Sequence, residues 1–63
     1  MTPETRYHWA AHYYARRVVA GMLSRQEATQ RLTRFRPDTG TQPAAGALMR
    51  AAIGWEAKGG PWR

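Results

Sequence analysis

The fold of this chain is decided by the stretch LSRQEATQRLTRFR, residues 23–36. Ser24 followed three residues later by Glu27 is a capping box, in which the serine oxygen accepts from the Glu27 amide and the glutamate reaches back to the Ser24 amide. Such a pair marks the first turn of a helix. The apolar residues that follow recur at the spacing of one helical face: Ala28, Leu32 and Phe35. We therefore predict a helix over 24–35 with this stripe turned inward.

A first helix is predicted over residues 3–20. Thr2 and Pro3 are residue types favoured at the N-cap and at the first helical position. Gly21 suits the left-handed residue that follows many helices. Only two residues separate Gly21 from the Ser24 cap, so the second helix must turn back sharply on the first.

A third helix is predicted over residues 43–58, with Pro43 at its first position. Its apolar positions cover more than half of the circumference, which indicates a buried, central helix: Ala45, Leu48, Met49, Ala51, Ala52, Ile53 and Trp55. Gly46 and Gly54 predict the close approach of a neighbouring helix, since glycine is costly inside a helix otherwise. The preceding loop, 36–42, contains residues that fit a β-turn: Pro37, Asp38, Thr39 and Gly40.

These elements predict an all-α fold, a compact three-helix domain in which the third helix packs across an antiparallel pair. Residues 1–63 would form one small domain, with 59–63 as a short tail docked through Trp62, because exposed terminal tryptophans are uncommon. A core of this size barely offsets the loss of chain entropy. We therefore expect help from a partner, a second copy or a very regular helical core.

Composition points to an anionic partner. Ten basic residues against four acidic ones give a net charge of +6, and such a field attracts polyanions or acidic protein surfaces. Codon bias explains why nine of the ten cations are arginine, but it does not explain the shortage of acids. The chain has no cysteine, which excludes disulfides and thiolate metal sites. It shows neither a signal peptide nor an 18-residue apolar run, so we expect a soluble cytoplasmic protein.

Catalytic and metal chemistry find little support in the residue types present. His8 and His12 lie one helical turn apart with Glu4 one turn earlier, a spacing that could carry metal ligands. The zincin pattern is absent, however, because Trp9 stands where its glutamate would be. We interpret both histidines as partly exposed residues that flank the core, and expect no metal and no cofactor. The single serine is a helix cap and the domain is too small to enclose a pocket, so we do not expect an enzyme.

Basic and aromatic side chains form the most informative set. Arginine offers carboxylates and phosphates a planar fork of donors, and aromatic rings beside it can stack on bases or insert into a protein pocket. The predicted partner-binding residues are Trp9, Tyr13, Arg16, Arg17, Arg31, Arg34 and Arg36. A second face of the first helix could hold another copy of the chain or a partner: Tyr7, Tyr14, Val18 and Met22. The alternative interpretation of the first set is a solvated arginine-rich face with Trp9 and Tyr13 half-buried, and for the second face it is the chain's own core.

The run AGMLSRQEA, residues 20–28, resembles the turn that opens a helix in many small bacterial and phage DNA-associated modules. A DNA-reading helix-turn-helix has a turn of three or four residues, whereas the loop 36–42 intervenes here, and Arg50 is the only cation near the middle of the third helix. In size and composition the chain resembles accessory proteins of phages and mobile elements, among them anti-CRISPR proteins. The resemblance implies an inhibitor or adaptor that docks on a larger nucleic-acid-handling protein complex; direct DNA or RNA binding is the alternative.

Overall fold

A computed structural model describes residues 1–38 and 40–59 of the chain. Three α-helices make up this part: α1, Pro3–Val19; α2, Arg25–Thr33; and α3, Ala45–Ala57. The prediction of an all-α, three-helix fold is therefore confirmed. None of the three helices combines the length and the apolar character that a bilayer span requires.

The predicted signals at the ends of α1 and α2 are present as hydrogen bonds. The hydroxyl groups of Thr2 and Ser24 each accept from the backbone amide three residues later, at 3.1 Å. At the end of α1, Gly21 has a φ of 78°, and its amide and that of Met22 donate to the carbonyls of Val18 and Arg17 at 3.0 and 2.8 Å. This is a Schellman motif, which reverses the chain into the short link before α2.

The Ser24 capping box is only half formed. Ser24 caps the helix as predicted, but the Glu27 carboxylate lies 3.6 Å from Arg31, one turn further along α2. A pair of this kind on an exposed helix face is weak. The serine, rather than the glutamate, fixes the start of α2.

Two helix boundaries, the end of α2 and the start of α3, differ from the predicted ones by two residues, and the others differ by at most one. The chain leaves α2 after Thr33 through amides that donate to carbonyls three residues back, and Pro37 then prevents continuation. The third helix begins at Ala45, with Ala44 as an N-cap that makes no side-chain hydrogen bond. Pro43 lies before this helix, because its carbonyl is used by tertiary contacts described below.

The three helices share one small core. Its buried residues are Tyr7, Ala11 and Ala15 from α1, Ala28 and Leu32 from α2, and Ala45, Met49 and Ala52 from α3. Contacts join the start of α1 to Pro43 and its later turns to Glu56, so α3 runs in the same direction as α1. The contacts between α1 and α3 are the most extensive of the three helix pairs.

The predicted apolar face of α3 turns inward only in part: Ala45, Met49 and Ala52 are buried as expected, but Trp55 is not. Trp55 is 54% exposed, while the neighbouring Glu56 is buried with 9% exposure. Relative to the predicted orientation, α3 is rotated about its axis by about one residue, because Glu56 contacts His12 and Arg16 on α1. This rotation leaves the Trp55 indole at the edge of the interface. Gly46 and Gly54 consequently face open space, and the predicted close helix approach at these glycines is wrong.

Two predictions lie outside the described residues. The β-turn at 37–40 depends on Thr39, and the docking of Trp62 depends on the tail beyond residue 59. Within the described part of this loop, Gly40 has a φ of 84°. A left-handed residue at that position is compatible with a turn.

Substituting alanine for two of the glycines should change stability in opposite directions. At Gly54 an added methyl group meets nothing within 4 Å, so Gly54→Ala should raise the free energy of unfolding by about 0.5–1 kcal/mol through a less flexible unfolded chain. At Gly21 the left-handed backbone makes alanine unfavourable, so Gly21→Ala should lower the free energy of unfolding by about 1 kcal/mol. Urea unfolding of both variants checks this, and a loss of stability in Gly54→Ala would contradict the open placement of α3.

Candidate partner-binding surface

The predicted binding residues separate into three places in the structure. Arg31 and Arg34 line the groove between α1 and α2, and Tyr14 in that groove contacts Tyr13, which pairs with Arg17 on the outer side of α1. Trp9 and Arg16 lie on the side of α1 that approaches α3. Arg36 is directed into the loop before α3. The set that the sequence presents as one surface is therefore divided by the packing of α1.

Tyr13 and Arg17 form a preorganised pair on the outer side of α1. The guanidinium of Arg17 lies over the Tyr13 ring, 4.8 Å from its centroid, and Nη2 donates to the phenol oxygen at 2.7 Å. They are one helical turn apart, which brings the two side chains together. Because Tyr13 is 53% exposed, the pair presents both a ring and a cation to solvent.

A row of aromatic rings continues from this pair across to α2. Tyr14 packs edge-on against Tyr13, with 5.3 Å between centroids, and its ring lies 6.4 Å from that of Phe35 at a tilt of 57°. Phe35 was predicted to complete the inward stripe of α2. It is 36% exposed instead, because it lies beyond the end of the helix.

Arginines from α2 flank the far end of this row. Arg31, Arg34, Tyr14 and Phe35 line a groove of about 570 Å³ between α1 and α2. Glu27 also lines the groove, 3.6 Å from Arg31, and is the one acidic side chain among its described walls. We call the combined region the basic aromatic surface; it consists of Tyr13, Tyr14, Arg17, Arg31, Arg34 and Phe35.

The Arg36 side chain makes hydrogen bonds within the protein. Its Nε donates to the Pro43 carbonyl at 3.3 Å and its Nη2 to the Gln42 carbonyl at 3.1 Å. The same Pro43 oxygen accepts from the hydroxyl of buried Tyr7 at 2.6 Å. These bonds hold the loop against α1, so the guanidinium of Arg36 is less available to a partner than sequence reasoning expects.

A buried carboxylate organises the other side of α1. Glu56 has a side chain that is 5% exposed; it accepts from Nδ1 of His12 at 2.9 Å and lies 3.5 Å from Nε of Arg16. Arg16 thereby joins α1 to α3, and His12 carries its proton on Nδ1 because a carboxylate only accepts. The sequence analysis did not predict this cluster. The signal that could have revealed it is an acidic residue, Glu56, on a mostly apolar helix that packs beside the helix carrying His12 and Arg16.

The face predicted for a second copy or a partner is not continuous. Tyr7 is fully buried in the chain's own core. Tyr14 and Val18 are partly buried against that core, and Met22 is 69% exposed beyond the end of α1. The heptad-like spacing reflects packing within the chain, except at Tyr14, which belongs to the basic aromatic surface.

The histidines are engaged within the protein. His12 bonds to Glu56, and Nε2 of His8 lies 3.3 Å from the side-chain oxygen of Gln42. Among residues 1–38 and 40–59, no group of three histidine or carboxylate side chains is arranged to hold a metal ion.

Loss of the Tyr7 hydroxyl should weaken the fold and change its alkaline pH dependence. Burial raises the pKa of the Tyr7 phenol above 10.0, while the nearby Arg36 guanidinium lowers it to a smaller extent. Because the fold favours the neutral phenol, this stabilisation is present below pH 10 and is lost as pH rises through the pKa of the folded state. Tyr7→Phe should lower the free energy of unfolding at pH 7 by about 1 kcal/mol.

Urea unfolding between pH 7 and 11 measures both effects. Tyr7→Phe should lose less stability above pH 10 than the wild type does. Tyr13→Phe, at an exposed position, is the control, and its stability should change with pH as that of the wild type does. Parallel alkaline profiles for Tyr7→Phe and the wild type would show that the phenol is not responsible.

Removal of the buried Glu56 carboxylate should lower the free energy of unfolding by more than breaking an exposed ion pair does. Glu56→Ala deprives His12 and Arg16 of their shared acceptor and should lower the free energy of unfolding by about 1–3 kcal/mol. Arg31→Gln, which breaks the half-exposed pair with Glu27, should cost about 0.5 kcal/mol or less. Equal urea midpoints for the two variants would refute the role assigned to Glu56.

Comparison with known proteins yields no relative on which to base a function. No protein family, no curated protein and no solved structure matches this chain. The functional proposal below rests on the geometry and chemistry of the described side chains.

Proposed function

We propose that this protein is a non-enzymatic docking protein. It binds an acidic surface of a larger nucleic-acid-handling protein complex through the basic aromatic surface, and acts as an inhibitor or adaptor of the kind made by phages and mobile elements. The observation that supports this most directly is the continuous row of Tyr13, Tyr14 and Phe35 with arginines at both ends.

The composition of the surface suits a protein interface. Aromatic and arginine residues supply most of the binding energy in such interfaces, because rings bury a large area and guanidinium groups form paired hydrogen bonds with carboxylates. Here Arg17 is already held by Tyr13, and the rings are held by one another. Less side-chain entropy is therefore lost on binding, which favours affinity for a preformed partner surface.

The orientation of the rings favours a protein over a nucleic acid. Base stacking requires an open ring face. One face of Tyr13 is covered by the guanidinium of Arg17, and Tyr14 is packed edge-on at 75° against Tyr13. These contacts leave less ring face open for a stacked base, and the groove beside the rings has both polar and aromatic walls, which suit the inserted side chains of a protein.

Direct nucleic-acid binding is the second candidate, and one feature of α2 favours it. Gln26 and Gln30 on α2 and Arg34 at its C-cap are exposed and recur every four residues. Glutamine and arginine are residue types that pair with adenine and guanine edges. If the three arginines of the basic aromatic surface contact duplex phosphates, log K should fall with log salt at a slope of about −2.7.

Charge reversal on the basic aromatic surface should abolish partner capture. In an affinity pull-down from host lysate treated with nuclease, the wild-type chain should retain one stoichiometric protein. The double variant Arg31→Glu, Arg34→Glu should lose it, with capture reduced at least about tenfold, because like charges then face the acidic partner.

A matched control carries the same change in net charge elsewhere. Arg25 and Arg50 are exposed and line a separate groove between α2 and α3, so the double variant Arg25→Glu, Arg50→Glu should still capture the partner. Equal loss in both double variants would mean that net charge alone drives binding. Loss of capture on nuclease treatment, with the expected salt slope for purified DNA, would replace the docking proposal by the nucleic-acid one.

A further inference from the structure

The groove between α1 and α2 contains two arginines whose surroundings differ. Arg31 lies in the last turn of α2 and Arg34 at its C-cap, and both line the groove. Nη2 of Arg31 lies 3.6 Å from Oε1 of Glu27, and both side chains are about half exposed. Among the described residues, no carboxylate pairs with Arg34. An incoming anion therefore meets a partly neutralised cation at Arg31 and an unneutralised one at Arg34.

Aromatic rings form the apolar part of the same groove. Tyr14 and Phe35 line it, and their ring centroids are 6.4 Å apart. Phe35 is exposed, so part of its ring meets water in the free protein. Because removing apolar surface from water is favourable, an occupant that packs an apolar side chain against these rings gains affinity.

The size and the remaining wall of the groove suit a short piece of polypeptide. A volume of about 570 Å³ lies in the range of clefts that hold drug-sized ligands, which corresponds to roughly three or four residues. Gln30 is exposed and lines the groove. Its side-chain amide can both donate to and accept from a peptide group. These walls therefore match an apolar side chain, a carboxylate and a stretch of peptide backbone.

Glu27 limits how much negative charge the groove accepts. Its carboxylate lies on the groove wall and disfavours any anion placed beside it at Arg31, because like charges repel. The repulsion grows with the charge of the ligand. A chain of phosphates is therefore disfavoured more strongly than a peptide with a single carboxylate at Arg34.

We propose that this groove binds a short linear segment of a protein partner, in which one carboxylate is close to a large apolar side chain. The carboxylate pairs with Arg34, the apolar side chain packs against Phe35 and Tyr14, and Glu27 excludes further negative charge. The inference rests on the proposed docking function and specifies the part of the partner that enters the groove.

Selection from a displayed library of random heptapeptides, against the purified and immobilised full chain, tests the class of ligand. Enriched peptides should share one aspartate or glutamate within about two positions of a large apolar residue, the distance that a groove of this size spans. Enrichment of basic peptides, enrichment of peptides without an acid, or no enrichment would overturn the proposal.

Variants locate the carboxylate of the most enriched peptide, with affinity measured by fluorescence anisotropy. Arg34→Gln should weaken binding at least about fivefold, because it removes the charged partner of the peptide. Arg31→Gln should weaken it about twofold or less, and Glu27→Gln should tighten it about two- to threefold. Arg25→Gln, in the separate groove between α2 and α3, is the control and should bind as the wild type does. Equal losses in Arg34→Gln and Arg31→Gln, or weaker binding in Glu27→Gln, would contradict the assignment.

Competition in the lysate pull-down separates this inference from the docking function. The selected peptide, at saturating concentration, should release the captured protein from the wild-type chain. If the double variant Arg31→Glu, Arg34→Glu loses the partner but the peptide does not compete for it, docking stands and the linear segment is refuted. If the double variant keeps the partner, the docking site is refuted, whatever the peptide does. A short DNA duplex that binds the wild-type chain more tightly than the peptide would overturn both.

Discussion

The hydrogen bond from the buried Tyr7 hydroxyl to the Pro43 carbonyl is the interaction on which the arrangement of the helices depends. Tyr7 is the largest fully buried side chain of the core, and its oxygen leaves the core at the point where the chain enters α3. Arg36 adds two further bonds at the same place, which hold the loop that follows α2. With the start of α3 fixed here, its later turns bring Glu56 to His12 and Arg16.

Sequence reasoning predicted most of the fold because its signals are local. The serine cap of α2 and the glycine after α1 act within a few residues, and both are present as expected. Apolar periodicity did not predict the rotation of α3, since its apolar residues cover so much of the circumference that several rotations look equally good. A tertiary contact of Glu56 with α1 selects one of them, and the only sign of that contact in the sequence is an acidic residue on a mostly apolar helix.

The candidate site was predictable by residue type but not by grouping. Tyr13, Arg17, Arg31 and Arg34 come together, yet what connects them is Phe35, which periodicity assigned to the core. Arg16 and Arg36 serve intramolecular contacts. Whether an arginine faces a partner or a carbonyl of its own chain depends on loop geometry, which composition does not report.

The alanine content of the core has a consequence for how this chain can vary. Five of the eight buried hydrophobic residues among those described are alanine. An alanine side chain can lose only its single methyl group, but any larger residue at these positions would push two helices apart. Most core positions should therefore reject additions of volume far more strongly than losses. Sequences that drift under this restriction can diversify at the surface while the spacing between the helix axes stays nearly constant.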